Sequence, residues 1–219
     1  MAAAGEQRPG GAGEQAGRTG GVCTDLDITW LANANLAASN TFGVSGITDG
    51  GQMSWTTANE WIAAMNTANY LGYSDWRLPA TLQPDPSCRT QSGGDSFGYN
   101  CTGSEMGHLF YDELGGVASY SISMTHNDSH DLFSIVQPAP YWSGTSYVPL
   151  SSSAWRFGFG DGLQATSRKS DAYNIRAWAV RPGDSAFEAP VVPLPGAVWL
   201  LGSALGVLGL AGRRGWQGG

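Results

Sequence analysis

Ala154-Trp155-Arg156-Phe157-Gly158-Phe159-Gly160-Asp161-Gly162 places an aromatic ring at every second position and then breaks into a glycine-flanked acid. Side chains two apart share one face of a strand, so Trp155, Phe157 and Phe159 define a buried face. Gly160-Asp161-Gly162 then turns the chain into a further strand. Towards the C-terminus, Arg176, Trp178 and Val180 alternate in the same way before Pro182-Gly183. Far upstream, Leu26, Ile28 and Trp30 read as a half-buried strand. Helical spacing lies between these ends. Ser54 is placed as an N-cap for a helix with Trp55, Ala58, Ile62 and Met65 on one face, widened by Trp61 and stopped near Gly72. A second, shorter helix is expected after Ser104, burying Met106, Leu109 and Phe110 and ending at Gly115-Gly116. Two helices followed by a strand-rich second half predict an α+β fold.

Composition supports a folded chain of this kind. The 219 residues are 42% hydrophobic and only 13% charged, with 32 Gly and 11 Pro, which excludes a long coiled coil. Nine Trp argue against disorder, because such a chain can bury enough apolar surface to offset its ordering entropy. The net charge of −7 and the single lysine, Lys169, exclude a generic nucleic-acid binder, which needs a positive face.

The two ends differ from the middle. Residues 1–21 hold no apolar side chain larger than Ala after Met1 and no signal-like apolar core, so they read as a disordered lead-in. At the other end no charge occurs between Glu188 and Arg213. Residues 194–212 within that run would span roughly 28 Å as a helix, close to the hydrocarbon thickness of a bilayer. The expected membrane helix is 196–212, with Arg213 and Arg214 held on the cytoplasmic side.

Val192-Pro193-Leu194-Pro195, the apolar segment and Arg213-Arg214 together resemble the PEP-CTERM sorting signal of bacterial surface proteins. Leu194 stands where that signal most often has Glu. The resemblance implies an exosortase-type membrane peptidase as partner, cutting near Pro193–Pro195, and a transient inner-membrane anchor at 189–219. Because such a tail serves exported proteins, an export signal is expected upstream of Met1, which would make 1–21 a displaced start.

Residues 22–188 read as one domain. Cys88 and Cys101 enclose 12 residues rich in Gly, Ser, Asp and Asn, a loop that a disulfide would stabilise, while Cys23 is left over. The ordered series Asp75-Trp76-Arg77-Leu78-Pro79, Tyr141-Trp142-Ser143-Gly144-Thr145, Ala154-Trp155-Arg156-Phe157 and Ala179-Val180-Arg181-Pro182 is similar to the domain family named for the C-terminal domain of the Legionella collagen-like adhesin. The 82–88 and 103–108 segments resemble its subgroup with sorting tails. The resemblance implies a C-type-lectin-like fold and, from the named member, adhesion through polysaccharide. Physically, Asp75, Trp76, Arg77, Pro79, Trp155 and Arg181 read as structural: the Trp rings as core, Arg77 beside Asp75 as an ion pair or carbonyl clamp, Arg181 as the partner of a fixed carboxylate.

Chemistry-bearing patterns are sparse. Gln83-Pro84-Asp85 matches a galactose-type calcium triplet of C-type lectins, but the Trp-Asn-Asp triplet that must accompany it is absent. His126, Asn127, Asp128, His130 and Asp131 form the densest set of potential ligands. Here Asn127-Asp128 suggests a turn that parts the two imidazoles, leaving Asp128 and Asp131 as weak calcium candidates. No nucleophile elbow, phosphate loop or His-Glu-x-x-His occurs, so no enzyme activity is expected and no cofactor is required. The leading expectation is an exported surface or matrix protein that recognises polysaccharide through the loops 141–147 and 91–100, with Tyr141, Trp142 and Tyr147 as ligand contacts. The alternative is a structural matrix protein without a discrete ligand, or a simple membrane-anchored domain.

Overall fold

The N-terminal strands and the last described strand close on one another, and this closure organises the fold. The computed structural model describes residues 21–23 and 26–183, all within one unit, Met1–Phe187. In chain order the elements are β1 (Gly21–Cys23), β2 (Ile28–Leu31), α1 (Trp55–Thr67), β3 (Thr90–Ser92), β4 (Asp95–Phe97), α2 (Glu105–His108), β5 (Pro140–Ser146), β6 (Ser153–Gly158), β7 (Gln164–Arg168) and β8 (Val180–Pro182). They form three antiparallel sheets, β1-β2-β8, β3-β4 and β5-β6-β7. The architecture is mixed α and β. The processing residues Val192, Pro193, Leu194, Pro195, Arg213 and Arg214, and the expected membrane helix 196–212, lie outside the described residues, as do residues 1–20. Among the described residues no helix is long and apolar enough to cross a membrane.

β2 corrects the first alternation. It is buried at all four positions, whereas Leu26 lies outside it and is exposed. Successive residues point to opposite faces, so burial at all four positions means that both faces of the strand are covered. Even Thr29 is buried, its hydroxyl donating to Gly183 O at 2.6 Å. In the 176–180 segment, Ala177–Val180 is likewise a continuous buried run, with Arg176 half-buried. Only Val180–Pro182 forms a named strand, and Arg176 is held by isolated bridges to Gln52 and Tyr141.

α1 forms where its spacing places it. The Ser54 side chain accepts a hydrogen bond from Thr57 N at 3.1 Å, and Ala58, Trp61, Ile62 and Met65 are buried. Trp61 Nε1 donates to Asn40 O at 3.0 Å and Trp55 Nε1 to Ser143 O at 2.8 Å, so the helix is keyed to β5 by polar contacts as well as packing. It stops five residues before Gly72. Asn69 takes the left-handed conformation first, at φ 48°, which its short polar side chain tolerates. α2 runs directly into a π turn, Leu109–Glu113, and Met106, Leu109 and Phe110 are buried as expected.

The core centres on Trp178. Its ring lies 5.1 Å from Trp30, 5.2 Å from Phe133, 5.5 Å from Phe159 and 5.6 Å from Tyr141, and its Nε1 donates to Leu31 O at 2.7 Å. Edge-to-face packing of this kind adds to the area each ring removes from water. Tyr141 and Trp142 belong to this interior and are fully buried. The expectation that they line an open loop is therefore corrected: 140–146 is a strand, and it is covered on both faces at residues 141–143. Trp142 Nε1 donates to Met53 O at 2.9 Å, while the Tyr141 hydroxyl accepts from Gln137 N at 2.9 Å.

The Asp75–Pro79 segment is structural: Arg77 makes the carbonyl contact its sequence suggests, donating to Leu78 O at 3.2 Å, but its ion-pair partner differs. Arg77 does not pair with Asp75. Its guanidinium forms a two-pronged bond with Glu105 at 2.7 and 2.6 Å, and Glu105 also accepts from Ala80 N. Asp75 instead accepts two bonds from Arg181, at 2.9 and 3.3 Å, and that guanidinium stacks 3.7 Å over Tyr73. Planar donor forks suit both arrangements. Trp76 is buried and bracketed by Asn66, which accepts from its N–H and donates to its carbonyl. The Pro79 carbonyl accepts from Gly144 N and from the Ser143 hydroxyl, both at 2.9 Å.

Candidate functional site

A glycine pair builds one wall of the site. Gly93 and Gly94, at φ 61° and 91°, make the two-residue turn between β3 and β4, a conformation that favours residues without a Cβ. The Cys88–Cys101 disulfide brackets this hairpin, and Arg89 N donates to Tyr99 O just inside it. Gly98 and Gln164 then exchange backbone hydrogen bonds at 2.9 and 2.8 Å, attaching the hairpin to β7. Across the sheet Trp155 of β6 pairs with Thr166 of β7. Tyr147 follows β5 and comes over this pair, its ring 5.5 Å from Trp155 and perpendicular to it.

These segments enclose a cavity of about 250 Å³ lined by Asp95, Phe97, Tyr147, Trp155, Ala165 and Thr166. Trp155 is 3% exposed and Phe97 38% exposed, so one ring forms a floor and the other stands at the rim. The Tyr147 hydroxyl donates to Asp95 Oδ2 at 2.8 Å. That hydrogen bond, with some burial and the carboxylate's charge, holds the phenol above its ordinary value of 10, so it stays a neutral donor. The site can offer apolar ring faces, one carboxylate and the hydroxyls of Tyr147 and Thr166 to a ligand. Such a set suits a sugar ring, whose C–H face packs on aromatics while its hydroxyls seek fixed polar partners.

Of the residues singled out by sequence, the structure brings Tyr147 into this pocket together with the 91–100 segment, and sends Tyr141 and Trp142 to the core. Trp155, read only as structural, also floors the cavity. Ala165 and Thr166 carried no sequence signal beyond lying on a strand after a turn. Gln83 and Asp85 are consumed internally. The Gln83 amide bonds both the N–H and the carbonyl of Ser96 at 2.8 Å, and Asp85 is fully buried among Ser87, Ser104 and the backbone. Calcium has no use for them in that arrangement.

Among the described residues, the one group of metal-ligating side chains that converges is Asp85, Cys88 and Cys101. Its two sulfurs are joined to each other, so it offers no thiolate. Asp128 and Asp131 are exposed and lie outside that group. The imidazoles are not parted either. Residues Asp128–Leu132 form a 3₁₀ turn, and His126 and His130 stack with centroids 4.2 Å apart. Sequence spacing also missed His108, whose Nδ1 lies 3.1 Å from Asp112 Oδ2 and whose Nε2 lies 3.4 Å from Glu113 Oε1. None of these three lines the pocket.

The stacked pair has a pH consequence. Burial, then repulsion from His126, lowers the His130 pKa from 6.5, against a weaker opposite pull from Asp131. The folded state thus favours neutral His130. Its contribution to stability is complete above pH 6.5 and is lost as pH falls through the lowered folded value. Titration followed by NMR is expected to place His130 below 6.5 and His126→Ala to move it back upward. A wild-type value at or above 6.5 would refute the stack.

Neither a protein-family model nor a curated protein matches this chain. The resemblances described above therefore rest on the quoted motif residues.

Proposed function

We propose that the protein is an exported bacterial surface or extracellular-matrix protein whose C-type-lectin-like domain recognises polysaccharide without catalysing a reaction. In this reading the tail from 189 onward is a sorting signal, engaged by an exosortase-type peptidase while its apolar segment sits in the inner membrane. The observation that carries the binding role is the pocket of Phe97, Tyr147 and Trp155 around the Asp95 carboxylate. The disulfide suits an oxidising compartment and supports export. Aromatic sugar platforms need rigid rings, and the perpendicular Tyr147–Trp155 contact supplies one.

Titration of the full chain against the producing organism's exopolysaccharide tests this reading. Saturable binding is expected, unchanged by chelator. Tyr147→Ala is expected to weaken it at least tenfold, about 1.4 kcal/mol. Because Tyr147 is only half-buried, the melting temperature should fall by no more than about 4 °C. A folded wild type with no saturable binding would favour a purely structural matrix role.

A further inference from the structure

The pocket carries a charge that nothing nearby neutralises. Asp95 accepts a hydrogen bond from the Tyr147 hydroxyl, and among the described residues it forms no ion pair. No Lys or Arg lines the cavity. The other lining groups are three aromatic rings, an Ala and a Thr. Ring faces carry the negative end of the aromatic quadrupole, so they add to the attraction for a cation. The chain as a whole is also negative, at −7. A uronate or sulfated sugar would meet the Asp95 carboxylate with no cation on the lining to offset it.

Size narrows the ligand further. At about 250 Å³ the cavity is smaller than the roughly 300–1,000 Å³ of pockets for drug-sized molecules. One pyranose ring of a longer chain fits that scale. Resting on the glycan-binding reading above, we propose that this pocket selects a sugar residue bearing a free, protonated amine, with the ring on Phe97, Tyr147 and Trp155 and the ammonium at Asp95. The lysine side chain offers the same cation without a ring to stack.

The test is a set of titrations of the full chain, in mildly acidic buffer, with four hexamers: β-1,4-glucosamine, its N-acetylated form, a uronate and lysine. The glucosamine hexamer is expected to bind about tenfold tighter than the N-acetylated one, the effect of one partly screened ion pair aided by ring faces. The uronate should bind weakest. Asp95→Asn is expected to bring the ratio of the two glucosamine hexamers to about one, while Asp95→Glu keeps it above about threefold. In wild type, added salt should shrink the same ratio, a readout independent of any variant's folding. Equal binding of the two hexamers, or a preference that survives Asp95→Asn, would overturn the amine selection and leave glycan recognition standing. Lysine hexamer binding as tightly as the amino sugar would overturn the sugar assignment. Failure of all four to bind would overturn the amine selection, and if the exopolysaccharide also fails to bind, the glycan reading falls with it.

Discussion

Removal of the Cys88–Cys101 disulfide, as the double variant Cys88→Ala/Cys101→Ala, is expected to cost about 3 kcal/mol and most of the ligand binding together. The stability estimate follows from the loop, whose ends are 13 residues apart and gain freedom in the unfolded chain once unlinked. The binding loss follows from what the loop carries. The β3-β4 hairpin, with Asp95 and Phe97 on it, lies wholly between the two cysteines. Hydrogen bonds would remain to hold it, among them Gly98 with Gln164 and Gln83 with Ser96, each in both directions, Gln164 Nε2 to Ser96 O, Asp85 N to Ser96 Oγ, and the Tyr147 hydroxyl to Asp95. Unlinking residues 88 and 101 frees the segments that lead into and out of the hairpin, and a pocket wall without a fixed base forfeits preorganisation. Urea unfolding of the oxidised protein and the variant, with a titration of each against exopolysaccharide, checks both parts. Equal midpoints with unchanged affinity would show that the hydrogen bonds suffice without the covalent link.

Trp178→Ala is expected to be the most damaging single core substitution considered, at about 3–5 kcal/mol. Its ring touches aromatic residues from four separate segments: Trp30 of β2, Phe133, Tyr141 of β5, and Phe159 just after β6. Truncation would open a cavity among rigid rings that have little freedom to collapse, and it would remove the donor to Leu31 O. Against a typical total of about 5–15 kcal/mol, that loss leaves a marginal fold. Trp178→Phe keeps most of the apolar volume and forfeits the hydrogen bond, for an expected loss nearer 1–2 kcal/mol. Urea midpoints of the two variants should differ accordingly. A Trp178→Ala loss below about 1 kcal/mol would show that this ring is not where the sheets are joined.

Much of the local structure was legible in the residues alone. Ser54 at the head of a 3.6-residue apolar pattern specifies α1, because the cap and the stripe are both short-range properties. Trp155 and Phe157 alternate along β6. Cys88 and Cys101 pair across a loop too polar to hold itself. Periodicity does not report burial where a strand is covered on both faces: β2 and residues 141–143 of β5 show no alternation, so Tyr141 and Trp142 read from sequence as surface contacts. Nor could the His126–His130 stack be read from a turn-prone spacing, since a 3₁₀ turn brings together rings that an open turn would part.

What the sequence by itself determined is therefore α1 with its cap, the alternating aromatic rings of β6, the loop that needs a staple, and the kinds of partner its Arg side chains require. A guanidinium's demand for a carboxylate is a property of the residue. Which carboxylate answers was decided by the tertiary structure: Glu105 for Arg77, 28 positions away, and Asp75 for Arg181, 106 positions away. The pocket belongs to the same class. Asp95 and Tyr147 meet across 52 positions because the hairpin is tied to β7 while Tyr147 closes over β6. Caps, turns and alternation act within a few residues of chain, whereas a binding site depends on where separate segments come to rest, and packing alone sets that.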